Sequence, residues 1–469
     1  MNTTFVSNFY QQRSFINYKE YDSTLVESDF DLPKEKIEIK SMKKVNSTEI
    51  EKIIPDIGTF YHQLASELSF SIDSAFSSLI TLVNAVKSDH FPNSPEFVLA
   101  NLPNIFTNTI QFASKSRYLI VCIIYRLIVY HEYYHKEFVE NNLVPVIYDI
   151  LLSIKQSNEE VSMEINILIV LIQESPVLAQ SFFDNTDLQK ILAYFLDKRN
   201  GFRTIEKFLM LIRSVISPIV VNFTSEKFAM VKETVDIVFD RCLNNRKELI
   251  ELCRLIQIMA LHPDVSQYLM QTDRGMQLLE QMTTEDSLVL KEIGRVFEVA
   301  LQGWLQPSDE FIATIPKLLD TGDTPAFECG CRLIEELLRR NIVVDVDFEL
   351  LIDTVLKYSH KSAAAAFDLV CMASGTPMAV GQLLAHPVFE AITHMLESDS
   401  ESWRASAANL SLVILKERAS SNPNWPGLRS FEDKGCLEVL GDAAEDDDTI
   451  KEIFDEIICR FYPQYAIEK

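Results

Sequence analysis

Apolar residues recur at three- and four-residue steps along most of this chain and almost nowhere alternate singly with polar ones. That period predicts helix after helix from about residue 47 onward. Leu64, Leu68, Ile72, Phe76, Leu79, Ile80 and Val83 form one such series, with a break predicted near Ser69. Ser47-Thr48-Glu49-Ile50-Glu51 reads as an N-cap followed by acid in the first helical turn, where the helix dipole favours negative charge. Residues 1–46 carry isolated apolar positions among Asn, Ser, Gln and alternating charges, and are expected to be a mostly disordered arm. Residues 47–469 are expected to form one helical body.

A longer period is superimposed on the short one. A turn with proline precedes an apolar helix at Ser175-Pro176, Ser217-Pro218, His262-Pro263 and Gln306-Pro307, and again at Thr376-Pro377. The first four prolines lie 42, 45 and 44 residues apart. Proline suits the first helical turn, where its missing N–H has no partner to lose. Between Pro176 and Pro218 the pattern predicts three helices, over Val177–Phe183, Leu188–Leu196 and Thr204–Ile216. Residues 306–375 read as shorter units.

Composition narrows the class. With 47% hydrophobic residues in 469, a large core can form. Only 12 glycines are present, too few for the turns of an all-β or doubly wound protein of this length. The formal net charge of -25 opposes binding to nucleic acid or anionic membranes, since phosphate contacts need Lys and Arg. It favours basic protein segments as partners. Most of the eight cysteines sit inside apolar helical stretches, as free thiols do in a reducing compartment. The pair Cys329-Gly330-Cys331 lacks the second cysteine pair of a zinc finger. The longest apolar run, Leu119–Tyr130, is broken by Arg126 and falls short of the roughly 20 residues needed to span a bilayer. A soluble protein of the cytoplasm or nucleus is expected, without membrane insertion or cofactor.

One stretch invites a catalytic reading. His131-Glu132-Tyr133-Tyr134-His135 is a literal H-E-x-x-H. On one continuous helix its histidines would share a face and could hold zinc, with the glutamate as general base. The extended form would put glycine and histidine where Phe138 and Asn141 stand, which leaves Glu159, Glu160 or Glu164 as the third ligand. The apolar helix from Tyr118 ends at Tyr130, and Phe138-Val139 already belongs to the next. A helix break inside the motif would destroy the shared face, so no metal site and no enzyme is expected. Phosphate-cradling glycine loops and nucleophile elbows are absent from the sequence. Glu445-Asp446-Asp447-Asp448 reads as favourable charge at a helix start, and Arg339-Arg340 as its counterpart at a helix end. Trp425, in a loop rich in Pro and Asn, could be a binding anchor or could pack on its own repeat.

The proline-marked period falls within the roughly 40 to 47 residues of armadillo and HEAT repeats. Lys136-Glu137-Phe138-Val139-Glu140-Asn141-Asn142-Leu143-Val144-Pro145-Val146-Ile147 resembles the junction between the first and second helices of an armadillo repeat. Val388–Leu396 and Ala405–Leu410 resemble second- and third-helix segments. The resemblance covers roughly residues 50 to 462 and implies a right-handed α-solenoid whose third helices line a concave protein-binding surface. The third helices are placed at Glu164–Ser175, Arg203–Ser217, Glu248–Leu261, Leu288–Gln302, Phe327–Arg340, Ser362–Ala373 and Trp403–Arg418. Their polar candidates for that surface are Asn166, Gln173, Arg213, Arg254, Gln257, Arg295, Arg332, Glu336 and Arg404. The Trp-x-x-x-Asn ladder of importin-α-like proteins is missing, because Ser308 follows Trp304 and Ala407 follows Trp403 at that spacing. The irregular repeats and the run Ala363–Ser420 are also similar to HEAT/armadillo-type proteasome assembly chaperones. The function expected is a protein-binding scaffold or adaptor, the alternatives being such a chaperone or regulatory subunit and, through His131, Glu132 and His135, a zinc hydrolase.

Overall fold

The structure is a computed structural model that describes residues 56–465, apart from 87–94, 114–115, 131, 154–156, 174, 197–204, 263, 265–267, 270–272, 284–285, 303–306, 322–324, 358–359 and 421. The described residues are helical or turn, with no strand among them. The arm expected over residues 1–46 and the cap expected at Ser47 lie outside the described residues. The chain divides into two compact units, residues 1–123 and 124–469.

In the first unit, α1 (Ile57–Phe70), α2 (Phe76–Val86), the single turn α3 (Glu96–Leu99) and α4 (Leu102–Thr109) precede the start of α5 (Arg117–Tyr130). Asp56 caps α1 by accepting from the Thr59 amide, which satisfies one of the amides a helix start leaves open. The break predicted near Ser69 is real: α1 stops at Phe70 and the chain turns before α2. The core is aromatic. Tyr61 meets Phe97 edge-on at 5.3 Å and Phe97 meets Phe106 at 5.8 Å, tying α1, α3 and α4 together.

The second unit begins within α5 and continues through α6 (Glu132–Glu140), α7 (Leu143–Ser153), α8 (Asn158–Gln173), α9 (Pro176–Asn185), α10 (Leu188–Leu196) and α11 (Ile205–Ile216). It goes on with α12 (Ser225–Cys242), α13 (Arg246–Met259), α14 (Arg274–Glu280), α15 (Ser287–Gln302), α16 (Asp309–Thr314) and α17 (Pro325–Arg339). The last helices are α18 (Phe348–Lys357), α19 (His360–Ala373), α20 (Pro377–Leu383), α21 (Val388–Leu396), α22 (Glu401–Ala419), α23 (Pro426–Asp433), α24 (Cys436–Asp446) and α25 (Asp448–Phe461). The three helices predicted after Pro176 stand as α9, α10 and α11.

The prolines act as expected at some turns and not at others. Pro176 and Pro377 open α9 and α20 behind the hydroxyl caps of Ser175 and Thr376. Pro218 opens no helix. It sits in a turn, a 3-10 turn follows at Val220–Asn222, and Thr224 caps the long α12 instead. The unit after Pro218 therefore runs as two long helices, α12 and α13, where three helices were expected. At the armadillo-like junction, Asn142 takes a left-handed conformation with φ 58° between α6 and α7. Asparagine tolerates this better than most side chains.

Eight helices of the second unit form its spine. α8, α11, α13, α15, α17, α19, α22 and α25 each pack against the next. Their apolar faces are fully buried, as Phe208, Leu211, Leu255, Phe297, Leu333 and Phe367 show. Helices α15 and α17 approach closely at Gly294, where an added Cβ would stand 2.1 Å from the Cys329 sulfur.

Candidate interaction surface

The spine helices carry a row of polar side chains that touch from one helix to the next. Lys207 on α11 donates to the Asn166 amide oxygen on α8 at 3.3 Å. Arg213 on α11 faces Glu251 on α13 at 3.3 Å as an ion pair. Arg254, on α13, lies between two carboxylates: Nη1 donates to Glu251 at 2.6 Å, and Nε reaches Glu292 on α15 at 3.3 Å. Gln257 donates from the same amide nitrogen to the backbone and side-chain oxygens of Glu292, at 3.0 and 2.9 Å. Further on, Glu298 on α15 pairs with Arg332 on α17 at 3.1 Å. Gln302 on α15 donates to Glu336 on α17 at 3.0 Å, and Arg339 bridges Glu335 and Glu336 along α17.

These cross-helix hydrogen bonds and ion pairs join residues 34 to 41 positions apart. The repeat period is thus visible in polar contacts as well as in apolar packing. The charges are nearly balanced, with Lys207 the one cation in excess. Arg213, Arg254, Arg295, Arg332 and Arg339 stand in this row with Glu251, Glu292, Glu298, Glu335 and Glu336, although the chain as a whole carries -25. Burial gives the contacts their weight. Glu251, Glu292, Glu335 and Glu336 are all buried, and a buried carboxylate must be paired or hydrogen-bonded to stay charged.

Each predicted surface residue can now be placed. Asn166 and Gln173 are half-buried on α8, Arg213 on α11, Arg254 and Gln257 on α13, and Arg295 on α15. Arg332 is exposed on α17, where Glu336 is buried. Arg404 is half-buried near the start of α22. Arg213, Arg254 and Gln257 are brought together in one group with Glu251 and Glu292, while Arg332 pairs with Glu298, and Glu336 with Gln302 and Arg339, at the next crossing. Asn166 accepts from Lys207 at the α8–α11 crossing, and Arg404 lies on α22.

Of the carboxylates in this row, sequence reasoning picked out Glu336 and missed Glu251, Glu292, Glu298 and Glu335. Glu251, Glu292 and Glu298 sit among Leu, Ile and Val at helical spacing, where a lone glutamate reads as an interruption of a core face. The available signal was the recurrence of an opposite charge one repeat away, as in Glu298 and Arg332 or Arg254 and Glu292.

Other candidate chemistry resolves locally. Helix α5 ends at Tyr130 and α6 begins at Glu132; His131 and the Glu132 side chain lie outside the described residues. His135 places Nε2 3.2 Å from the Val170 carbonyl of α8. Among the described residues no group of three or more His, Cys, Asp and Glu side chains is placed to hold a metal ion. No helix among them is long and apolar enough to cross a membrane. Asp447 caps α25 through the Thr449 and Ile450 amides, which accounts for one acid of the C-terminal run. Trp425 packs edge-on to Phe389 at 6.4 Å and lies over Gly427, where a Cβ would stand 2.2 Å from its ring. Burial pushes the Cys242 and Cys329 thiols up to about 12, which leaves them unreactive as nucleophiles.

No family model matches the sequence, and no curated protein matches it. Among solved structures, an engineered protein is similar with a TM-score of 0.59 and 15% identity, over 86% of this chain and 99% of that one. A chain from a study of a phosphorylation switch in the interaction between cadherin and beta-catenin aligns with a TM-score of 0.38 and 11% identity, over 91% and 94%. What the chain shares with the engineered protein is its fold, an all-α stack in which successive helices pack one on the next.

Proposed function

We propose that this protein is a non-catalytic scaffold or adaptor, and that the polar row on α8, α11, α13, α15, α17 and α22 is where it holds protein partners. In this reading the second unit is an armadillo/HEAT-type right-handed superhelix and the row lies along its concave side. The supporting observation is the alignment of the row with the packing order of the spine helices, at one repeat per step. Half-buried arginines and amides already held by carboxylates lose little side-chain freedom on meeting an extended chain, which lowers the cost of binding. The net charge of -25 would speed the approach of a partner with basic segments.

The test is co-purification of the tagged full chain from its native cell, compared with a variant carrying Asn166→Ala, Arg332→Ala and Arg404→Ala together. These three sites are exposed or half-buried and spread along the row. Partners recovered with the wild type should be lost from the variant while its helical circular dichroism and melting temperature are kept. Unchanged recovery of every partner would remove the row from consideration. One stoichiometric multi-subunit partner would identify an assembly chaperone or regulatory subunit, whereas several substoichiometric partners would identify an adaptor. Stoichiometric zinc in the purified protein, lost in His135→Ala, would overturn the non-catalytic reading.

A further inference from the structure

Helices α9 and α20 both open on a proline behind a hydroxyl cap, but the chain beyond them differs. After α20, the next proline to open a helix is Pro426, which starts the short helix α23. Trp425, Gly427 and Ser430 at that start line a gap with Leu384, His386 and Glu390. After α9 the next proline is Pro218, and in place of a helix it leads into the 3-10 turn Val220–Asn222. The side of α9 toward that turn stands open. Val177, Ser181, Asp184 and Asn185 recur along it at three- and four-residue steps and are all exposed. With Pro176, Gln180, Pro218, Ile219 and Asn222 they bound a groove of about 470 Å³.

The groove has two ends of different character. At the start of α9 it is apolar: Val177 is 79% exposed, and the buried Ile219 lines the same space with Pro218. Toward the end of α9 it is polar, and hydrogen bonds within the helix arrange the groups. Gln180 donates its amide nitrogen to Asp184 at 2.7 Å, and Asn185 donates its own to the Ser181 carbonyl at 2.7 Å. Each amide keeps its oxygen as an acceptor beside the Asp184 carboxylate. From α12, Lys227 donates to the other oxygen of Asp184 at 2.6 Å and lies over the Phe183 ring at 5.6 Å. The polar end thus presents acceptors, and its occupant must supply donors.

We propose that this groove takes an amphipathic helix of a protein partner, with an apolar side chain set against Val177 and Ile219 and an Arg or Lys against Gln180, Asp184 and Asn185. From Val177 to Asp184 is two turns of α9, about 10 Å at the rise of a helix, so the occupant carries those side chains about seven positions apart. The occupant is a helix for two reasons. The groove lies where the chain leaves out a helix of its own. An extended segment would also bring backbone groups that need partners, and turn and helix side chains form these walls with no strand edge among them. A helix satisfies its own backbone and docks by side chains alone. The occupant is basic because the polar end offers acceptors. A second copy of this chain would bring its own charge of -25, which opposes self-docking. The groove shares no residue with the polar row, so it stands or falls separately from the proposed function.

The experiment selects displayed peptides of about 16 residues, helical with one face randomised, on the full chain and counter-selects them on its Val177→Lys variant. Val177 is exposed, so that variant should keep the wild-type circular dichroism; if it does not, Ser181→Lys, also exposed, takes its place. Recovered peptides should carry an apolar residue and an Arg or Lys about seven positions apart. Their affinity, read by fluorescence anisotropy, should fall on the order of tenfold in Asp184→Asn, and by much less for the same peptides with Gln in place of the cation. A selection that recovers nothing would overturn the proposal. So would recovered peptides that are acidic, or that bind as well with a proline at mid-sequence. Self-association of the wild type in sedimentation, abolished by Val177→Lys, would assign the groove to a second copy and overturn it as well.

Discussion

The spine of the second unit is held together differently along its length. From α11 to α15 adjacent helices are tied by buried or half-buried charges, with Arg254 gripped by Glu251 and Glu292, and α15 meets α17 through Glu298 and the exposed Arg332. From α19 to α22 small residues do that work. Ala363, Ala364 and Ala366 on α19 and Ala407, Ala408 and Ser411 on α22 are all buried. The polar link across that interface is long, from the Cys371 thiol to the Ser406 carbonyl at 3.9 Å. Apolar contact is tolerant of sliding, because dispersion and burial have no direction. A hydrogen-bonded ion pair fixes one register, because a shift of one turn leaves a charge buried without its partner. The charged stretch is thus specified in register by its side chains, and the small-residue stretch by the fit of its surfaces.

The sharpest way to break that contrast is to remove one carboxylate from the charged stretch. Glu292→Ala takes from Arg254 one of its two acceptors and from Gln257 its side-chain acceptor. Glu292 is 3% exposed, so water cannot replace it. The expected loss is about 3–5 kcal/mol in denaturant unfolding. Replacing both charges, Arg254→Met with Glu292→Leu, should recover at least half of that loss, because apolar side chains of similar volume suit the same space. Equal losses in the single and double variants would show that the pair adds net stability, and that its role goes beyond fixing register.

A second, smaller effect tests packing inside the charged stretch. Gly294→Ala should help a helix by about 1 kcal/mol on propensity alone. Its new Cβ would meet the Cys329 sulfur at 2.1 Å, so overpacking should win and cost about 1–3 kcal/mol. Cys329→Ala removes that sulfur, and the double variant should be as stable as the Cys329→Ala single variant or slightly more so. A Gly294→Ala protein with undiminished unfolding midpoint would mean that α15 and α17 can part without loss, contrary to a register held by Arg332 and Glu298.

How much of this was legible beforehand follows the same division. The apolar period placed α9, α10, α11, α13, α15, α17, α19 and α22 within a few residues, and α8 with its start six residues late, because each buries a broad face on its neighbour and the face must recur every three or four positions. The prolines marked turns more reliably than helix starts: Pro176 and Pro377 open helices, but Pro218 has Thr224 behind it as the better cap, and a cap hydroxyl outweighs proline's fixed φ. In the polar row, Arg213, Arg254, Gln257 and Arg332 were legible as polar residues on helices that had to face something. What they face was not legible, since the distance from Arg254 to Glu292 is set by turn lengths between helices. Glu251 and Glu292 were not picked out, because burial and pairing are tertiary facts.

The smallest expected effect lies at the far end of the spine. Lys416 on α22 meets Glu456 on α25 at 3.0 Å, and Arg460 reaches the same carboxylate at 3.1 Å. The contact spans 40 residues, as in the charged stretch, but Lys416 is exposed and Glu456 only half-buried, and Glu456 keeps Arg460 when Lys416 is removed. Lys416→Ala should therefore change stability by no more than about 0.5 kcal/mol, and less at high salt. Glu456→Ala should behave similarly, since neither cation is left buried. A loss from Lys416→Ala approaching that of Glu292→Ala would mean that repeat spacing itself gives such a pair its strength. If the loss stays small, the difference between the two stretches comes from burial: the same ion pair at the same repeat interval fixes the register of a helix only where water has been excluded from it.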